Sequence, residues 1–153
     1  MTHALNLTLP LKQDRASKDM LRGLAENFAN TVQPEIERAL KESRIVHFAR
    51  VLVIDDKYIQ VITEYEGDHQ EYTEFFRDKL TPVFAAIFAL AEEAPDVNDT
   101  NKFWDYAKKH NVHSLGMATD GALDFSGSPA GWLFSAYDHK TVRTLQDALV
   151  HAG

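Results

Sequence analysis

His47 and Glu66 are the pair of side chains in this 153-residue chain whose types and placement best suit acid–base chemistry. They lie near the far ends of two β-rich runs, residues 45–54 and 58–65, joined by the polar stretch Asp55-Asp56-Lys57. Folded back as a hairpin, the runs set the imidazole beside the carboxylate. Such a neighbour favours the protonated imidazole and prepares a general base. The same pair also serves as a plain ion pair at a sheet end.

Arg50 stands mid-run among apolar residues. A buried guanidinium needs a partner. It can grip a carboxylate ligand through two parallel hydrogen bonds, or pair with an acid on a helix or a second subunit. Tyr65, Trp104 and Trp132 are the remaining candidate ligand contacts, the two tryptophans as walls of an apolar pocket. Aromatic residues at helical or strand spacing build cores equally well. His110 and His113 have His-x-x-His spacing, but they straddle an expected helix end, and no metal ligand is assigned from spacing alone. Gly116, Gly121 and Gly127 do not make a phosphate-binding fingerprint, and the chain contains neither a P-loop nor a Gly-x-Ser-x-Gly elbow.

The hairpin must position these groups. With a two-residue turn at Asp56-Lys57, Ile54 faces Ile59, Leu52 faces Val61, Arg50 faces Thr63 and Phe48 faces Tyr65. The other side then pairs Val53 with Gln60, Val51 with Ile62, Ala49 with Glu64 and His47 with Glu66. Alternation puts Arg50 on the opposite face from His47 and Glu64, so a flat sheet cannot bring Arg50 and His47 into one compact site. A three-residue loop is the alternative register. Both faces are apolar near the turn, which suits a strand covered on both sides or one whose second face another subunit covers.

Composition bounds the rest. The length suits one domain spanning 1–153, with an excursion at about 95–130. A net charge of −7, from 16 basic and 23 acidic residues, argues against a nucleic-acid partner, which would require a basic field. With no cysteine, disulfides, thiolate catalysis and Cys-ligated metals are excluded. The start Met1-Thr2-His3-Ala4 lacks a signal-peptide pattern, and no apolar run approaches the roughly 20 residues that span a bilayer. A cytoplasmic location without membrane association is expected.

In chain order, Leu5, Leu7, Leu9 and Leu11 alternate as a half-buried strand ending near Pro10. Ser17 is the expected N-cap of a long helix carrying Leu21, Leu24, Phe28, Val32, Ile36 and Leu40, which Pro34 kinks or splits near Gln33. After the hairpin, Asp68 and Glu71 resemble a capping box for a second helix that Pro82 interrupts. A short helix is expected over 102–110, a Gly- and Ser-rich excursion over 114–130 with a short strand at 122–125, a last strand over 132–137 and a helix over 141–149.

This order fits an α+β fold: a β-α-β-β-α-β sandwich with a four-stranded antiparallel sheet, plus a short helix, the excursion and a C-terminal helix. It resembles the ferredoxin-like, dimeric α/β-barrel superfamily, which includes small monooxygenases, stress-response barrel proteins, chlorite dismutases and dye-decolourising peroxidases. Within it, His47-Phe48-Ala49-Arg50 and Tyr65-Glu66-Gly67-Asp68 resemble patterns in an uncharacterised group, as does Tyr137 with Thr141-Val142. The resemblance implies a homodimer formed through the open sheet face and a small-molecule ligand, with oxidoreductase or monooxygenase-like activity among the options. Haem ligation by one of the seven histidines is a superfamily option, but no local motif selects one, so no cofactor is assigned. The alternative is a non-catalytic dimerisation or interaction domain.

Overall fold

The computed structural model of the chain describes residues 2–152. Strand β1 (Thr2–Pro10) forms where the leucines alternate: Leu5, Leu7 and Leu9 are buried along one side, and Leu11 follows them. Helices α1 (Arg15–Thr31) and α2 (Gln33–Ser43) come next, then β2 (Val46–Ile54) and β3 (Tyr58–Glu66). Helices α3 (His69–Lys79), α4 (Thr81–Leu90) and α5 (Thr100–Lys109) follow, then β4 (Ala136–His139) and α6 (Val142–Ala152).

Proline divides both long helices at matching places. Pro34 and Pro82 each stand in the first turn of the second piece, where a missing N–H leaves no helical bond unmade. The N-cap of α1 is Asp14 rather than Ser17, and its carboxylate accepts bonds from the Ser17 N–H at 3.0 Å and the Ser17 hydroxyl at 2.7 Å. Asp68 caps α3 as its spacing suggested, accepting from the N–H groups of Gln70 and Glu71.

The sheet corrects the four-stranded expectation. It has three antiparallel strands in the order β1-β3-β2, and β4 lies outside it. The free edge of β1 is occupied by the chain leaving α5. The Thr8 N–H bonds the His110 carbonyl at 2.9 Å, the Val112 N–H bonds the Asn6 carbonyl at 3.0 Å, and the Asn111 side chain accepts from the Asn6 N–H at 2.9 Å. Those bonds use the groups that a fourth strand would need. The last strand is accordingly shorter and later than expected.

The hairpin takes the alternative register, with Asp55, Asp56 and Lys57 as a three-residue loop, and not the two-residue-turn pairing. Asp55 and Asp56 both take positive φ, as a type I′ turn requires, and the Lys57 N–H closes on the Ile54 carbonyl. Ile54 then pairs with Tyr58, Leu52 with Gln60, Arg50 with Ile62 and Phe48 with Glu64, one residue away from the two-residue-turn register. Val51 and Ala49 turn towards the helices, opposite Val61 and Thr63. A β-bulge at His47 takes up one residue, so Val46 pairs with Tyr65.

One core joins the sheet to helices α1 to α5. Leu5, Leu7, Leu9, Ile59 and Val61 from the sheet meet Leu21, Tyr72, Phe76, Val83 and Ile87. The excursion folds back over the β1 edge, and a single bridge between Leu123 and Pro129 stands where the short strand was expected. Where its ends cross, Trp132 N–H bonds the Leu115 carbonyl, and a Cβ on Gly131 would stand 2.0 Å from the Ser114 carbonyl oxygen. Among the described residues, no helix is long and apolar enough to cross a membrane.

The glycines at two contrasting places make a stability test. Gly131→Ala forces apart two backbones and should cost about 1–3 kcal/mol. Gly23→Ala lies within α1 with open space around it and should stabilise by about 0.5–1 kcal/mol. Urea unfolding of both variants checks the opposite signs.

Candidate functional site

The bulge at His47 decides the site. In an unbroken strand, residues three apart point to opposite faces. The extra residue changes the phase, and His47 and Arg50 line the same cleft together with Phe48, Glu64, Phe134, Tyr137 and His139. Its volume is about 550 Å³, within the range of small-molecule sites. One wall is the open face of β2 and β3, the other the stretch from Leu133 through β4.

The His47 imidazole is held between two groups. Its Nδ1 lies 3.0 Å from the Tyr137 hydroxyl, and its Nε2 lies 3.2 Å from Glu66 Oε1. The second contact is close enough for an ion pair, but its direction falls short of a hydrogen bond. Both side chains are nearly enclosed, at 5% exposed for His47 and 11% for Glu66. Glu66 Oε1 also accepts the Val142 N–H at 2.5 Å, so the carboxylate sits at the N-terminus of α6, where the helix dipole favours negative charge. Thr141 adds a side-chain cap, its hydroxyl accepting the Thr144 N–H at 3.1 Å. Arg44 secures the other side of α6 through Gln146 at 2.8 Å and Asp147 at 2.6 Å.

This network favours one imidazole tautomer. Glu66 accepts the Val142 N–H and is the natural acceptor for a proton on Nε2, which leaves Nδ1 to accept from the Tyr137 hydroxyl. A small turn of the ring would complete the Nε2 bond. Acid–base sites commonly align in this way only once a ligand is bound.

Of the residues singled out from the sequence, the fold brings together His47, Glu66 and Arg50. Arg50 is exposed on the open face, which removes the need for a buried partner, and it makes no ion pair among the described residues. Burial raises the Glu64 carboxyl above its usual range, against the pull of Arg50 and then His47. Tyr65 lies in the core, stacked on Tyr72 with ring centres 3.8 Å apart, and its hydroxyl meets His69 Nδ1 at 2.5 Å. Burial, followed by the nearby Tyr72, pushes the Tyr65 phenol far up. Trp104 packs on Phe125 at 4.8 Å, beneath Lys108. Trp132 lines a hollow beside the cleft that shares Phe134 and His139 with it. The loop His113 pairs with Asp124, whose other oxygen accepts the N–H groups of Ser126 and Ser128; His110 is not part of this cluster. Among the described residues no group of three or more histidines and acids is placed to hold a metal.

Tyr137, His139 and Phe134 complete the site, and sequence reasoning did not select them as site residues. The available signal was a polar strand, Tyr137-Asp138-His139, following a long Gly-rich excursion. Its contact with His47, 90 positions away, required the fold. No family model, curated protein or solved structure matches the chain.

A separate histidine cluster lies behind the sheet end. The rings of His3 and His69 are 4.4 Å apart, and His69 Nε2 meets the Leu123 carbonyl at 3.0 Å. Burial, and then the neighbouring His69, lowers His3 from 6.5 to about 4. The unfolded chain therefore takes a proton near 6.5 that the folded chain refuses until about 4. His3 favours the fold above that window, and its effect is lost as pH falls through it. The urea midpoint should drop less between pH 6.5 and pH 4 in His3→Gln than in the parent, measured in parallel unfolding curves.

Proposed function

We propose that the protein binds a small molecule in the cleft between β2 and β4 and moves a proton on it. Tyr137 is the group that meets the ligand, His47 accepts or returns the proton behind it, and Glu66 balances the imidazolium. The observation that carries this reading is where unpartnered buried polar atoms fall. Among the described residues, the side-chain atoms in that condition are His47 Nε2, Glu66 Oε2 and His139 Nδ1. His47 and His139 both line the cleft, and Glu66 stands against His47. Buried polar groups elsewhere in a stable fold are paired, because an unpaired one costs about 1–3 kcal/mol. A cluster of exceptions at one cleft supports a site kept ready for a ligand.

The proton balance is simple. As a ligand O–H or acidic C–H proton reaches the Tyr137 oxygen, the phenolic proton passes to His47 Nδ1. The imidazolium formed keeps its Nε2 proton facing Glu66, whose charge α6 also stabilises. The reverse transfer returns a proton to the product. General acid–base catalysis of this kind contributes about 10²–10⁴-fold to a rate.

Incubation of the protein with a small-metabolite extract, followed by mass spectrometry, tests this. Compounds consumed by the parent should persist with His47→Gln, and Glu66→Gln should slow their loss by at least about tenfold. If both variants consume every compound at the parent's rate, the acid–base assignment fails.

A different observation favours a second reading, association of two copies through the open face. Phe48 is 67% exposed, Tyr58 43% and Ile54 40%, beside the half-buried Leu52 and Ile62 of the same face. Contiguous apolar surface of this kind marks interaction sites. Leu52→Asp should turn a dimer into a folded monomer in light scattering, and a monomeric parent would exclude this reading. Val51 is unsuitable for the test, since it packs towards Val61, Tyr72 and Phe76.

A further inference from the structure

The geometry points to a small flat carboxylic acid, an aryl carboxylate in the simplest case, as the class of ligand that the cleft takes. We propose that its carboxylate sits on Arg50 and its apolar body lies against Phe48 and Phe134. This rests on the reading of the cleft as a ligand site and adds the ligand's chemistry to it.

The charge pattern favours an anion over a cation. Arg50 is the one Lys or Arg side chain among the residues lining the cleft, and it makes no ion pair with the acids of the fold. Its natural competitor, Glu64, belongs to the neighbouring strand, two pairs further along, but the two carry no contact within ion-pair distance. Burial raises the Glu64 carboxyl, against the pull of Arg50 and then His47. The guanidinium therefore keeps its planar fork of donors for a ligand, and a carboxylate matches that fork with two parallel bonds. The remaining acid, Asp138, is exposed within β4 at a left-handed φ, and among the described residues it forms no ion pair.

The apolar part follows from the walls. Phe134 is 85% exposed and Phe48 67%, a costly display for two rings on one small cleft unless something flat covers them. Tyr137 lines the same cleft with its hydroxyl on His47. An acid anchored at Arg50 with its body on the two rings would present its middle atoms to that hydroxyl. The anchor and the proton-moving group are thus different residues at different places in the cleft.

Three probes separate the parts: benzoate, its neutral counterpart benzamide, and acetate, which has the charge without the ring. They are titrated into isotope-labelled protein and followed by NMR at Arg50 Nε, the His47 and Tyr137 rings and the two phenylalanines. Benzoate should shift all five, bind at least about tenfold more tightly than benzamide or acetate, and weaken about tenfold in Arg50→Gln. Arg50→Lys keeps the charge and loses the fork, so it should recover only part of the affinity. Equal binding of benzoate and benzamide, with both shifting His47, overturns the carboxylate assignment and leaves the cleft reading standing. Unchanged affinity in folded Arg50→Gln, or shifts scattered over surface lysines, overturns the assignment as well. Absence of binding by all three probes also overturns it, and the cleft reading is then decided separately by the fate of metabolites with His47→Gln.

Discussion

A single inserted residue in β2 organises the functional end of this protein. Between the Val46–Tyr65 pair and the Phe48–Glu64 pair, His47 has no partner of its own across the ladder. A regular strand would send His47 and Arg50 to opposite faces of the sheet. The bulge lets the imidazole reach Glu66 and Tyr137 while Arg50 stays on the open face of the same cleft. Bulges bend a strand and re-aim its side chains, and this one lies at the strand's start, where the chain is free to bend.

Glu66 links that local feature to the last element of the fold. Its carboxylate receives the first N–H of α6 and faces the His47 ring. The terminal helix and the acid–base pair therefore share one charge. Arg44, in a left-handed conformation at the end of α2, holds α6 from the other side. The stretch carrying Phe134, Tyr137 and His139 is thus fixed at one end by α6 and at the other by the crossing of Gly131 and Ser114. A cleft wall made mostly of irregular chain is positioned by two anchors instead of a sheet ladder.

The sheet itself stops at three strands because its β1 edge is already satisfied. The residues after α5 supply the bonds for Asn6 and Thr8, and the Asn6 side chain bonds the Val112 carbonyl at 2.8 Å and the Ser114 hydroxyl at 3.0 Å. This docking brings in the excursion and leaves β4 free to serve the cleft. The small hollow between β1 and the excursion holds about 40 Å³, room for water and not for a ligand.

Local physics was legible in the residue order. Alternating leucines made β1, Pro34 and Pro82 divided the helices where a first turn can accept them, and Asp68 capped α3. A hairpin of the two runs was enough to expect His47 near Glu66, but in the register that forms it is the bulge that brings them together. Which of the two candidate registers forms was not legible, because Asp55-Asp56-Lys57 contains no glycine to say which residues take positive φ. Nor was the N-cap of α1, where Asp14 and Ser17 both have capping chemistry and bond each other. What tertiary structure alone decided was the strand count, the bulge and the meeting of Tyr137 with His47. Each depends on hydrogen bonds between distant segments competing for the same edge or side chain, and nearest-neighbour spacing carries no record of which competitor wins.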